Sequence, residues 1–150
     1  MIYDSKKDTQ EHIENVRKLL YKVIAELCVR VTRHDDSKLE EPEKSMYDEF
    51  TPKLRAMTYG SDEYKECLKQ MGPALKHHYE NNSHHPEHYQ NGVNGMSLLD
   101  LIEMLADWKA AGMRHADGNM QQSLEVNKQR FGMSDQLAEI FQNTVKELDW

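Results

Sequence analysis

The chain has 150 residues, 38% of them hydrophobic and 30% charged, with a formal net charge of −7. That length and polarity fit one domain, residues 1–150, with a thin core. The acidic balance argues against a nucleic-acid duplex as main partner, because binding phosphates needs a basic face. A small phosphorylated substrate stays open to it, since bound cations reverse the local field. No apolar run reaches the roughly 18 residues of a membrane span, and the opening MIYDSKKDTQEH lacks the apolar stretch of a signal peptide. A cytoplasmic protein, of a bacterium or an infected host cell, is the expectation. Cys28 and Cys67 form no CxxC pair or zinc-ribbon spacing and read as reduced thiols.

Taken in chain order, the pattern is helical almost throughout. Ile13, Val16, Leu20, Val23, Ile24, Leu27 and Val31 recur at three and four residues and form one apolar stripe, with Asp8 or Thr9 as its cap. Pro42 marks a loop after RHDDSKLEE. A second helix is predicted over 43–57, with Pro52 as an interruption. A turn at Tyr59-Gly60-Ser61-Asp62 leads into a third helix toward Lys76, broken in two by Gly72-Pro73. Residues 80–96, rich in Asn, Gly and Pro, read as loop. Ser97 then opens the clearest helix, SLLDLIEMLADWKAA, ending at Gly112. Leu98, Leu101, Ile102, Leu105 and Trp108 are its predicted core face, and Asp100, Glu103 and Asp107 share another side. A helix over 120–131 stops at Gly132, and Ser134 or Asp135 caps a last helix toward Trp150. Leu137, Ile140, Phe141, Val145 and Leu148 stripe that last helix, as core or as a dimer seam. No strand pattern and no repeat occurs. The expected architecture is an all-α bundle of five to seven helices.

Five of the eight histidines fall in HHYENNSHHPEHY: His77, His78, His84, His85 and His88. His34-Asp35 lies upstream and Asp107 downstream. Neutral imidazole and carboxylate are the usual protein ligands for Zn, Fe, Mn and related ions. His77 and His84 are seven residues apart, as are His78 and His85. On a continuous helix each pair would be about 10 Å apart, which suits two ions, or one ion and a substrate group.

These pieces resemble the HD superfamily of metal-dependent phosphohydrolases, which arranges His … His-Asp … Asp on a helical fold. His34-Asp35-Asp36-Ser37-Lys38 is similar to the HDxGK of the HD-GYP branch, with Ser37 for Gly. His77-His78 is similar to its HH pair, and Asp107 follows His78 by 29 residues, about that branch's gap. A closer resemblance is to an uncharacterised family of phage and bacterial proteins that runs HDLSKF, LHHxxRNxHHWEYW and EMICD. Here the corresponding segments are HDDSKL, LKHHYENNSHHPEHY and IEMLAD, over residues 12–111. Pro86 and His88 depart from that pattern, which has Trp and Tyr there. Lys38 replaces the Glu of nucleotidase-type HD proteins, so a simple 5′-nucleotidase is not expected. No histidine occurs between residues 35 and 76, which argues against a trinuclear site.

The resemblance implies an HD-like domain in which His12, His34, Asp35, His78, His85 and Asp107 hold one or two divalent transition-metal ions (Mn, Fe, Zn, Ni or Co). Lys38 would bind a phosphate oxygen; His77, His84 or Asn82 would donate to the leaving group. Glu87, Asp100 and Glu103 would orient ligand imidazoles. His12 carries a geometric condition. Twenty-two residues of unbroken helix hold it about 33 Å from His34, so the chain would have to turn back, with Glu26-Leu27-Cys28 as the place. The implied activity is hydrolysis of a nucleotide or similar phosphoester. A di-iron oxygenase, a non-catalytic metal-stabilised regulatory protein of phage type, and a plain helical interaction module that forms a homo-oligomer are the alternatives.

Overall fold

A computed structural model describes residues 3–58, 61–114 and 118–150. Among them the protein is all-α, with seven α-helices and no strand. The predicted Tyr59-Gly60 turn lies outside the described residues. No helix among them is long and apolar enough to cross a membrane. By internal contacts the chain divides into two units, Met1–His34 and Asp35–Trp150.

The first unit is essentially one helix, α1, Lys6–Arg33. It starts a turn before the predicted caps, at Ser5, because Lys6 to Thr9 already satisfy helical geometry without a side-chain cap. It does not turn back at 26–28. No residue of α1 is buried, and its apolar stripe is largely exposed. Cys28 is also exposed.

The second unit begins with a bend. Asp35 adopts a left-handed conformation (φ 61°), a region that Asp tolerates better than most residues. A 3-10 turn at Asp36–Leu39 follows, then α2, Glu43–Arg55. Pro52 sits inside α2 without ending it. Helix α3, Asp62–Gln70, is capped by Ser61, whose hydroxyl accepts the Tyr64 N–H at 3.1 Å. Helix α4, Gly72–Asn81, starts afresh after Met71, with Pro73 in its first turn where a missing N–H costs nothing. Phe50, Cys67 and Met71 form a small core beneath these helices.

After α4 the loop makes two 3-10 turns, Pro86–His88 and Gly92–Gly95. Helix α5, Leu98–Gly112, opens with a reciprocal cap between Ser97 and Asp100. Helices α6, Met120–Phe131, and α7, Asp135–Glu147, complete the unit. Met104, Leu105, Leu124, Met133, Phe141 and Val145 make the larger core. Trp108 stacks on Phe131 and meets Phe141 edge-on. Leu98 and Ile102, predicted for the core face, are exposed, and Met104 takes their place. The α7 stripe serves mainly as core: Phe141 and Val145 are buried, while Ile140 and Leu148 are not.

Gly132 ends α6 in a left-handed conformation (φ 60°), and a Cβ added there would meet nothing within 4 Å. Gly132→Ala is therefore expected to cost about 1 kcal/mol through backbone strain alone, measurable as a lower denaturant midpoint with an unchanged slope.

Candidate metal centre

Three segments of the second unit meet at one point. The bend supplies Asp35, α4 supplies His78, and the following loop supplies His84 and His85. One donor atom from each of these four lies within 4.8 Å of every other. Asp35 Oδ1 is 3.4 Å from His78 Nε2 and 3.5 Å from His84 Nε2, and His78 Nε2 is 2.9 Å from His85 Nε2. Ligand atoms about 2.0–2.1 Å from a tetrahedral ion stand about 3.3 Å apart. The two separations from Asp35 match such an edge, and the shorter one between His78 and His85 is of hydrogen-bond length.

The seven-residue spacing of His78 and His85 produces this contact because the helix does not continue through them. Asn81 ends α4, and the chain folds back rather than extending about 10 Å along an axis. Pro86 starts a fresh turn and leaves His85 in an extended conformation.

Chemistry behind the cluster aims the imidazoles. Glu43, fully buried at the start of α2, lies 2.9 Å from His78 Nδ1 through Oε2. Glu103 Oε1 of α5 is 3.3 Å from His84 Nδ1. A carboxylate at Nδ1 holds the proton there and turns the Nε2 lone pair outward. The Nε2 atoms of His78 and His84 then converge with a carboxylate oxygen of Asp35, and His78 Nε2 also shares a hydrogen bond with His85 Nε2. Asn82 adds hydrogen bonds from its Nδ2 to Ser37 Oγ and to the His78 carbonyl, both 2.8 Å. Ser37 Oγ is itself 3.3 Å from His78 Nδ1.

Burial, followed by Lys38, lowers the pKa of His78. Burial, then His84 and His78, pushes His85 down to about 3. Both rings are neutral at pH 7, the form that binds metals. Burial first, then Glu43 and Asp35, raises the Tyr47 hydroxyl well above its usual value, so it stays a proton donor beside the site. Lys38 reaches Asp35 Oδ2 at 2.5 Å and sits near the Tyr47 ring. Asp107 is half-buried on α5, with a carboxylate oxygen within 4.8 Å of one on Asp35.

Each of the other sequence-predicted residues has its own setting. His84, predicted as a proton donor, is among the metal-competent group, while Asn82 holds His78 in place. His77 points its Nδ1 to the other oxygen of Glu43 (2.7 Å) and is not in the cluster, because neighbours on a helix diverge by about 100°. His88 bonds the Tyr79 carbonyl instead. Glu87 pairs with Arg130 of α6 at 2.8 Å rather than with an imidazole. Asp100 gathers Ser83, Tyr89 and both the N–H and hydroxyl of Ser97, so it ties the histidine loop to α5 instead of orienting a ring. His34, the other half of the His-Asp pair, closes α1 and belongs to the first unit; it is half-buried, and its N–H bonds the Arg30 carbonyl. His12, exposed within the unbroken α1, lies about 33 Å along the axis from His34, too far to share an ion with it.

Burial opposes ionisation of Asp100, but its hydrogen bonds from Ser97, Ser83 and Tyr89 outweigh it and hold the carboxyl well below the usual range. A depressed folded pKa stabilises at pH values above the unfolded one, and that contribution disappears as pH falls through the folded value. Asp100→Asn is expected to cost about 1–3 kcal/mol at pH 7, seen as a lower Tm, with the gap from the parent protein closing in strong acid.

The helical body and its centre define an all-α protein with His, Asp and Glu groups positioned to hold a metal ion. The chain belongs to a family of unknown function (DUF5662), which it matches over residues 1–147. No curated protein and no solved structure matches it.

Proposed function

We propose that this protein is a metal-dependent phosphohydrolase acting on a nucleotide or related small phosphoester. The convergence of Asp35, His78, His84 and His85 within 4.8 Å carries the reading. The donor set of imidazole nitrogens and a carboxylate suits Zn, Mn, Fe, Ni or Co rather than Mg or Ca. When bound, such an ion supplies an acidified water and neutralises phosphate charge. Asp35, His78, His84 and His85 are the ligands, and Asp107 is close enough to Asp35 to serve one ion or a second beside it. Glu43 and Glu103 keep the rings of His78 and His84 in the ligating tautomer. Lys38, with its side chain 31% exposed, gives a phosphate oxygen a cation at the rim of an otherwise acidic site. Protonated Tyr47 is a hydrogen-bond donor on the same side.

The resemblance of HDDSK to the phosphohydrolase motif, together with Lys38 at the rim, favours hydrolysis over the alternatives. The proximity of Asp35 and Asp107 keeps a two-ion oxygenase as a second reading. The test is phosphate release from a panel of nucleotides and simple phosphomonoesters and diesters. Turnover that a chelator abolishes and Mn, Fe, Zn, Ni or Co restores is the expected result. Oxygen uptake by iron-loaded protein, with no phosphate released, would support the oxygenase instead. Metal-dependent melting without any turnover would leave a binding or regulatory protein.

A further inference from the structure

The two oxygens of Asp35 have different partners, and that division bears on how many ions the centre holds. Oδ1 faces the rings, 3.4 Å from His78 Nε2 and 3.5 Å from His84 Nε2. Oδ2 faces the Lys38 ammonium at 2.5 Å. The bend builds this pair in. Left-handed Asp35 (φ 61°) leads straight into the 3-10 turn, and the Lys38 N–H bonds the Asp35 carbonyl at 2.9 Å. Backbone and side chain thus tie the same two residues. The ammonium also lies 5.3 Å from the centroid of the Tyr47 ring and is only part-exposed. A lysine fixed in this way is screened less than one of a surface pair.

Two-ion centres set their ions about 3.5–4 Å apart, and a carboxylate that joins them gives one oxygen to each. Asp107, with a carboxylate oxygen within 4.8 Å of one on Asp35, is the neighbour that would complete such a pair. Joining two ions would require Oδ2 of Asp35, the oxygen that Lys38 holds. An ion about 2.1 Å from Oδ2 would stand within roughly 4.6 Å of the lysine nitrogen. Even at the dielectric of water, a unit charge that close lowers the affinity for a dication on the order of tenfold. We propose that Lys38 keeps the centre mononuclear: it occupies Asp35 Oδ2, leaves Oδ1 for one ion among His78, His84 and His85, and excludes a second ion between Asp35 and Asp107. This role rests on the metal-centre reading and sets aside the two-ion oxygenase. Lys38 acts through Asp35 as a positioning residue. Its ammonium has three N–H donors, so a phosphate oxygen can still bind it.

The full chain, stripped with chelator, is dialysed to equilibrium against Mn(II) and in parallel against Zn(II), and the Mn-loaded protein is examined by EPR. The parent protein is expected to bind one ion per chain, with the Mn spectrum of an isolated ion. Lys38→Met should take up a second Mn at least about tenfold more tightly than the parent does, with the spectrum of an exchange-coupled pair. Lys38→Arg keeps the positive charge and should stay at one. Melting curves of the metal-free variants check that they fold. Two coupled ions in the parent would overturn the proposal. So would a folded Lys38→Met that stays at one isolated ion, or a Lys38→Arg that behaves as Lys38→Met does. The count in the parent needs no variant, so it decides the matter if Lys38→Met does not fold. A parent that binds neither ion contradicts the metal centre itself and the role of Lys38 with it, whereas phosphate release plays no part in the outcome.

Discussion

Asp35→Asn is expected to lower metal affinity by about 100- to 1,000-fold, an even share for one ligand of the roughly 10–16 kcal/mol of a four-ligand site. Asn keeps the left-handed backbone at φ 61° that the bend requires, so the loss reports on the carboxylate and not on misfolding. The sign of the stability change separates the two states. With no ion bound, Asp35 Oδ1 faces the Nε2 atoms of His78 and His84 at 3.4 and 3.5 Å. An amide N–H at that point can donate to one of those nitrogens, which offsets the part-exposed ion pair with Lys38 that the variant gives up, so the metal-free variant should melt no lower than the metal-free parent. With metal at about 1,000 times the parent's Kd, the parent should gain about 4 kcal/mol and the variant only about 0.4–1.4 kcal/mol. Calorimetric titration and melting curves with and without chelator measure both halves.

Glu43→Gln is the second large effect, and it acts through another residue. Glu43 touches the cluster only by way of His78, yet its removal should reduce metal affinity about 10- to 100-fold. The carboxylate fixes the proton on His78 Nδ1; a neutral amide can equally well donate to that nitrogen and leave the proton on Nε2, where it blocks coordination. His77→Ala is the matched control. It removes the partner of the other Glu43 oxygen but leaves the contact to His78, so affinity should change little. A general loss of structure would weaken both variants alike. Glu43→Ala should also destabilise the fold by about 1–3 kcal/mol, because it strips a buried imidazole of its partner.

Much of this was legible in the residues. The three- and four-residue spacing of apolar side chains gives the helices, and Ser61, Ser97 and Ser134 mark three of their starts. Asp35, His78 and His85 stand out as candidate ligands because imidazole and carboxylate are concentrated around them. The fold-back after Asn81 was harder to see. Whether His84 or His77 joins His78 depends on where α4 ends, and spacing alone does not fix a helix end to within a residue or two. Glu43 gave no signal. It is one of several glutamates around Pro42, and only the tertiary approach of α2 to α4 buries this one between two histidines. Glu87 and Asp100 have the right chemistry to orient a ring, but longer-range partners claim them: Arg130 the first, the Ser83-Tyr89-Ser97 knot the second. The α1 stripe reads from sequence as core, and no residue of that helix is buried.

X-ray absorption on protein purified without added metal, paired with elemental analysis of the same sample, probes the centre most directly. Stoichiometric Zn, Mn, Fe, Ni or Co should be present, in a nitrogen and oxygen shell near 2.0–2.2 Å with imidazole outer-shell scattering, and it should vanish in an Asp35→Asn, His84→Ala double variant that still folds. A parent protein that takes up none of these ions even when supplied in excess, or one whose bound metal survives that double variant, would contradict the account.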